Sequence, residues 1–296
     1  METEDFQRDG FVVLPGYLSA EELAPALAEL PTMFPSADDF HRDADPLRNA
    51  RFRDEFGGIT NFPFLSTELS LVAVHDRLVD LAGELLGDTD LRVYSIEGWA
   101  KYTGAASYDQ SHHRDYLNHS LVVPSPGARS QVEMFLYLSD VTSDLGAPSY
   151  VPHEHTRTLP ALPNWLHRVP PAEADERGWV SSDGWPSLYD NEVSAAGPAG
   201  TVVAYTVETF HRGTELTRPN GARYTIHVNF RRADSDWIGR RSWTDTANSA
   251  EWHAFVARAS MRQLQLFGFP PPEHPYWTEE TIAETARRYP GFGKGR

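Results

Sequence analysis

The chain has 296 residues, 40% hydrophobic and 12% aromatic, enough to bury a substantial core and too many for a disordered chain. Its formal net charge of −16 repels phosphate backbones and anionic lipid surfaces, so neither nucleic acid nor membrane is an expected partner. Cysteine is absent, which excludes disulfide frameworks, thiolate-bound zinc and thiol catalysis. The N-terminal "METEDFQRDG" has no apolar stretch of the signal-peptide kind, and no apolar run approaches the roughly 18 residues of a membrane span. A cytoplasmic protein is expected.

In chain order, "GFVVLPGYLSAEELAPALAEL" reads as a short strand, a Pro-Gly turn and a helix. Ser19 is the expected N-cap with Glu22 as its capping-box partner, Leu18 can staple onto Leu23, and Pro25 should kink or shorten the helix. "STELSLVAVHDRLVDLAGELLG" has helical periodicity, with Gly87 placed to end it. From Leu91 the texture changes. "LRVYSIEGWAKY", "QVEMFLYLSDV", "APSYVP", "GTVVAYT" and "ARYTIHVNFRR" are β-branched and aromatic runs separated by Gly, Pro and Asp turns, the pattern of an antiparallel sandwich or barrel. Residues 157–197 interrupt them with a Pro-, Trp- and acid-rich stretch of no clear period, expected to be a loop and a lid. "SAEWHAFVARASMRQLQLFG" and "TEETIAETARRY", the latter behind Thr278, return to helix. The simplest organisation is one domain over 1–296: a helical part to about 90, a barrel over about 91–232, and a helical extension over 233–296.

The triplet His-Arg-Asp occurs twice, at 41–43 and at 113–115. On an extended segment His113 and Asp115 point to one face and can share a metal ion. Two such ligands and a distant His form the 2-His-1-carboxylate triad of non-haem iron oxygenases, which leaves coordination positions open. His211, directly after "GTVVAYT", supplies the distant His, and Arg223, opening "ARYTIHVNF", supplies a guanidinium suited to a carboxylate. 2-Oxoglutarate needs this pair of features: its keto-acid end chelates iron and its distal carboxylate needs a buried cation. The earlier triplet lies among acidic, Pro-containing segments before the barrel strands and has no such partners, so a surface loop is expected. A protein-kinase catalytic loop is excluded, because Ser120 stands where its Asn is required and no glycine-rich loop is present. A cupin-type pair at His153 and His155 lacks a nearby downstream Glu.

Several of these segments together resemble the phytanoyl-CoA dioxygenase-like branch of the Fe(II)/2-oxoglutarate-dependent oxygenases. "FQRDGFVVLPGYLSAEELA", "HHRDY", "LYLSDVTSDLGAPSYVPHEHT" and "AGTVVAYTVETFHRGT" followed by Arg223 carry the resemblance over roughly residues 5–232. It implies a mainly β fold with flanking helices, a double-stranded β-helix or jelly roll, with Fe(II), 2-oxoglutarate and O2 as cofactor and co-substrates. It implies His113, Asp115 and His211 as metal ligands and Arg223 as the anchor of the 2-oxoglutarate distal carboxylate. Asp115 favours hydroxylation over halogenation, since halogenating relatives lack that carboxylate. The expected reaction oxidises a small-molecule metabolite, with release of succinate and CO2; the alternative is a non-catalytic jelly-roll protein binding a metal or ligand. "PHEH" stands where the family more often has "PGSH", and a structural role is expected for His155. Gly213 stands where some relatives carry a hydroxyl, for which Thr214 or Tyr224 are candidate substitutes. Further candidates are less sharply defined. Gln131 and Lys101 are co-substrate contacts, Trp165, Trp179 and Trp185 are lid residues, and His112, Tyr116, Asn118 and His119 are hydrogen-bonded walls beside the motif.

Overall fold

The computed structural model describes residues 2–54, 56–105, 109–115, 119–121, 129–160, 162–185, 187–239 and 242–292. Its centre is two antiparallel sheets. The larger has the order β1 (Phe11–Leu14), β9 (Val202–Tyr205), β5 (Gln131–Tyr137), β11 (Ala222–Arg232), β3 (Leu91–Tyr102) and β2 (Thr60–Asn61). The smaller has the order β7 (Trp165–Leu166), β4 (His112–His113), β10 (His211–Arg212), β6 (Ser149–Tyr150) and β8 (Val193–Ser194). This is the expected jelly roll, with two N-terminal strands, β1 and β2, recruited into its larger sheet.

Side-chain alternation explains how the larger sheet works. On β11, Ile226, Val228 and Phe230 are fully buried on the outer face, with Leu136 and Met134 of β5 and Val202 and Ala204 of β9. Leu78, Leu81 and Leu85 of the helix Asp76–Leu86 join the same core. Ala204 apart, each such side chain contributes about 1.5–3 kcal/mol of transfer free energy, so this face holds the fold together. Gly98 lets a neighbour come close here: a Cβ on it would meet Met33 Cε at 3.0 Å. Residues of opposite parity, polar and aromatic, face inward. Their cross-strand rows run Lys101–Arg223, then Trp99–Thr225–Tyr137, then Glu97–His227–Phe135, then Ser95–Asn229–Glu133–Tyr205.

Ser19 caps the helix Ala20–Met33 with a complete capping box, as expected. That helix runs 14 residues straight through Pro25 and Pro31. Pro25 lies on its exposed side, where water can satisfy the carbonyl the ring leaves without a partner. Two single helices expected from periodicity are each split. Residues 66–87 form Thr67–Val72 and Asp76–Leu86, because the His75 side chain accepts the Arg77 N–H and restarts the helix; Gly87 ends it at φ 66°. Residues 249–265 form Ala250–Arg258 and Met261–Gln265, because Ser260 makes its own capping box with Gln263. The stretch 157–197 is not structureless: it contributes β7, β8 and the helix Pro171–Arg177. The C-terminal segments pack Trp243, Trp252, Phe255 and Phe267 around Phe62. No helix is long and apolar enough to cross a membrane among the described residues.

Candidate active site

His113 and His211 are direct cross-strand partners at the centre of the smaller sheet. Asp115 follows β4, and its backbone N–H donates to Val207 O at 3.2 Å, which fixes the turn. One donor atom from each of the three residues lies within 4.8 Å of the other two, a separation that one metal ion can bridge. His113 Nε2 is 3.8 Å from Asp115 Oδ1, and His211 Nε2 is 3.4 Å from Asp115 Oδ2. The ring orientation is set from behind. His113 Nδ1 lies 3.0 Å from Ser111 O and His211 Nδ1 lies 3.0 Å from Thr209 O. A carbonyl can only accept, so each Nδ1 carries the proton and each Nε2 turns a lone pair toward the shared point. Trp165, placed opposite His113 in register, stacks on its ring at 4.1 Å and 8°.

The electrostatics suit a cation. Burial, then the neighbouring His211, pulls His113 down to about 3, which leaves it neutral at physiological pH, with a lone pair on Nε2. Burial opposes ionisation of Asp115, but His211, His119 and His113 outweigh it and hold its carboxyl well below the usual range. For His211 burial works downward, and the Asp115 carboxylate reverses the balance to a net rise. A divalent ion placed among them would take over the role of that proton.

These residues open onto a cavity of about 200 Å³. Arg223 and Lys101 stand side by side in its wall, on neighbouring strands and in register. Arg223 is buried and donates to Gly146 O; a Cβ on Gly146, which sits at φ 70°, would meet Thr214 O at 2.5 Å and Arg223 Nη1 at 3.4 Å. A guanidinium and an ammonium presented together fit a dicarboxylate's outer carboxylate. At the other end Glu133 accepts from His119 Nδ1 at 2.7 Å, Tyr94 Oη at 3.2 Å and Tyr205 Oη at 3.0 Å. The Tyr205 hydroxyl is also 3.3 Å from Asp115 Oδ2, so this network props the candidate ligand carboxylate. Asp115, His119 and Glu133 also have donor atoms within 4.8 Å of one another, but the hydrogen bonds to Glu133 make this set a buttress.

Other expected residues fall differently. Gln131 does not line the cavity: it pairs with Arg231 in register, roughly 26 Å along β11 from Arg223 at strand rise, and its amide lies 3.5 Å from Glu133. The Arg223 end of the cavity is thus out of its reach. Tyr224 faces outward, donating to Pro35 O at 2.9 Å, and the Thr214 hydroxyl donates to Ala147 O at 2.8 Å. The Gly213 N–H instead donates to Gln110 Oε1 at 2.8 Å. His112 points away from the cavity, 3.1 Å from Glu192 and edge-on to Tyr189, while His119 lines the cavity. His153 lies 3.3 Å from Thr209 Oγ1 and His155 3.5 Å from Glu154, neither among the cavity residues. Of the three loop tryptophans, Trp165 reaches the cavity, Trp179 stacks on His167 at 4.2 Å, and Trp185 packs with Leu188 and Phe210. Tyr116 and Asn118 lie outside the described residues. Glu97, His227 and Asn229 also line the cavity, and the sequence signal for them is their parity with Lys101 and Arg223, which marks them as inward-facing.

The sequence profile of the phytanoyl-CoA dioxygenase (PhyH) family matches residues 6–219. The chain belongs to the phytanoyl-CoA dioxygenase family. As a member it is an iron(II)- and 2-oxoglutarate-dependent oxidoreductase. No curated protein matches the chain. Solved structures at low identity share its fold, among them the following three. The epimerase SnoN, in complex with Fe3+, alpha ketoglutarate and nogalamycin RO, is 20% identical, with a TM-score of 0.52 over 78% of this chain and 82% of that one. HygX from Streptomyces hygroscopicus, with nickel, 2-oxoglutarate and hygromycin B bound, is 17% identical, with a TM-score of 0.52 over 79% and 87%. EctD from S. alaskensis, with 2-oxoglutarate and 5-hydroxyectoine, is 18% identical, with a TM-score of 0.54 over 79% and 76%. The family match ends at residue 219, so Arg223 and the aromatic C-terminal segments lie beyond it.

Proposed function

We propose that this member of the phytanoyl-CoA dioxygenase family is a mononuclear dioxygenase that hydroxylates, or otherwise oxidises, a small-molecule metabolite in the cytoplasm, with release of succinate and CO2. Its 296 residues act as one catalytic domain. His113, Asp115 and His211 hold the iron; Arg223, with Lys101 beside it, holds the distal carboxylate of 2-oxoglutarate. The observation that carries this reading is the convergence of two Nε2 lone pairs and one carboxylate on a single point, each histidine oriented by a backbone carbonyl behind it. With 2-oxoglutarate and O2, such an iron supplies an oxidant able to take hydrogen from an unactivated carbon. The protein's part is to hold the ligand set, neutralise the co-substrate and keep bulk water out. Trp165 covers one ligand ring, and the Tyr205–Glu133–His119 network keeps Asp115 in place.

The test is anaerobic titration of the metal-free protein with Fe(II) and 2-oxoglutarate, followed by exposure to O2 and measurement of succinate. A visible absorption band that needs both additions, and succinate formed in excess of enzyme, are the expected results. Iron binding with no such band and no succinate would instead support the alternative, a jelly-roll binding protein without turnover.

A further inference from the structure

Behind the smaller sheet, on the face away from the cavity, stands a second cluster of charged groups. Parity puts it there. His112 precedes His113 on β4 and Arg212 follows His211 on β10, so both turn to the face opposite the two histidines of the candidate metal site. Both meet one residue of the 157–197 insertion, Glu192. Arg212 donates to it twice, from Nε to Oε2 at 2.7 Å and from Nη2 to Oε1 at 2.8 Å, and His112 Nε2 lies 3.1 Å from that Oε2. Arg212 Nη1 also donates to Asp109. Tyr189, from the same insertion, closes the cluster: it is edge-on to His112 at 4.3 Å, and the Arg212 guanidinium lies over its ring at 5.4 Å. Next to it Leu188 is fully buried against Val151 and Phe210.

Apolar packing of the Leu188 kind stabilises an insertion but carries little direction. The ion pair costs desolvation, with side-chain exposures of only 8% for Arg212 and 21% for Glu192, and apolar residues of similar volume would serve stability as well. What the pair adds is geometry. Two parallel N–H···O bonds fix both distance and plane. Glu192 reaches β10 and β4 together, so sliding one strand past the other breaks its contacts. Those two strands carry His113 and His211, whose Nε2 atoms must stay within reach of one ion. On the reading that these histidines hold the iron, we infer that Glu192 is a positioning residue for the metal site: through Arg212 and His112 it locks the relative setting of β4 and β10. The insertion then grips the ligand strands from both sides, since its Trp165 stacks on the His113 ring within the cavity.

The test titrates Fe(II) into full-length, metal-free protein without oxygen. Affinity is read by calorimetry at a temperature where circular dichroism shows every variant folded. Glu192→Gln keeps the shape and removes the charge, and it should weaken Fe(II) binding by about tenfold, the size expected when an outer support of a metal ligand is lost. Arg212→Met should do the same, and the double variant should fall within about threefold of either single one, because all three remove one interaction. Leu188→Ala is the comparison. It removes apolar packing from the same insertion, so it should lower the denaturant midpoint while Fe(II) affinity stays within about threefold of the parent protein. Affinity kept within about threefold in Glu192→Gln, losses that multiply in the double variant, or equal weakening by Leu188→Ala would each overturn the inference. Fe(II) binding by the parent protein is measured first. Its failure removes the proposed metal site itself, whereas normal binding that ignores position 192 removes only the role of Glu192.

Discussion

The two His-Arg-Asp triplets have the same sequence and opposite fates. At 41–43 the chain is leaving a short helix, Ala37–His41, and successive side chains turn about the axis. His41 Nε2 lies 3.1 Å from Gly221 O, Arg42 pairs with Asp39 at 3.1 Å, and Asp43, at φ 54°, pairs with Arg53 at 2.9 Å. Three residues therefore serve three separate partners. At 113–115 the chain is leaving a strand. His113 and Asp115 share a side, and Arg114 goes to the other, where it donates to Pro160 O at 2.6 Å and lies over the Phe210 ring at 4.2 Å. Within the triplets the difference is backbone conformation: extended geometry concentrates what the helix end and the left-handed Asp43 disperse, and the second triplet also has His211 opposite it in register.

Substitutions can break or sharpen this contrast. The largest effect is expected for His113→Ala, which should weaken Fe(II) binding by more than about 100-fold, beyond the loss of any outer hydrogen-bond partner; calorimetric titration reads it directly, and near-native affinity would unseat the second triplet as the site. Arg223→Gln should raise the Kd for 2-oxoglutarate by about 30-fold, roughly 2 kcal/mol, by removing a charge-assisted pair. Fe(II) affinity measured without 2-oxoglutarate should stay within about threefold in that variant, so a parallel collapse of both would argue against separate roles. Trp165→Ala should lower Fe(II) affinity by about tenfold at most, since it removes packing that orients a ligand ring and not the ligand. The smallest change is expected for His41→Ala: Fe(II) affinity unaltered, and denaturant midpoints reporting about 1 kcal/mol lost with the Gly221 hydrogen bond.

The same physical distinction decides what was legible in the chain. Leu91–Tyr102 and Ala222–Arg232 appear with the boundaries of the β-branched and aromatic runs, because such runs closed off by Gly, Pro and Asp turns carry a strong local signal. The grouping of His113, Asp115 and His211 was legible because the two histidines sit at strand ends and Asp115 follows His113 at i+2. Helix interruptions at His75 and Ser260 were harder, since a side chain that caps a backbone N–H looks like any other polar residue inside a periodic run. Pro25 shows the reverse: a strong local breaker is overridden when it faces solvent. Gln131 shares the inward parity of Glu133 and Phe135 on β5, but parity selects a face and says nothing about position along it. Trp165 was visible as a loop aromatic, but its place on the His113 ring depends on β7 pairing with β4 across a long insertion.

The carbonyls of Ser111 and Thr209 have a consequence for how this site tolerates change. Each orients its histidine from two residues upstream, through main-chain oxygen that every amino acid possesses. The tautomer of both rings is therefore inherited from the path of the strand and not from the identity of a supporting side chain. Which nitrogen of each ring turns toward the cavity is thus set by backbone, whereas the Thr209 hydroxyl is spent elsewhere, on Gly10 O at 2.8 Å.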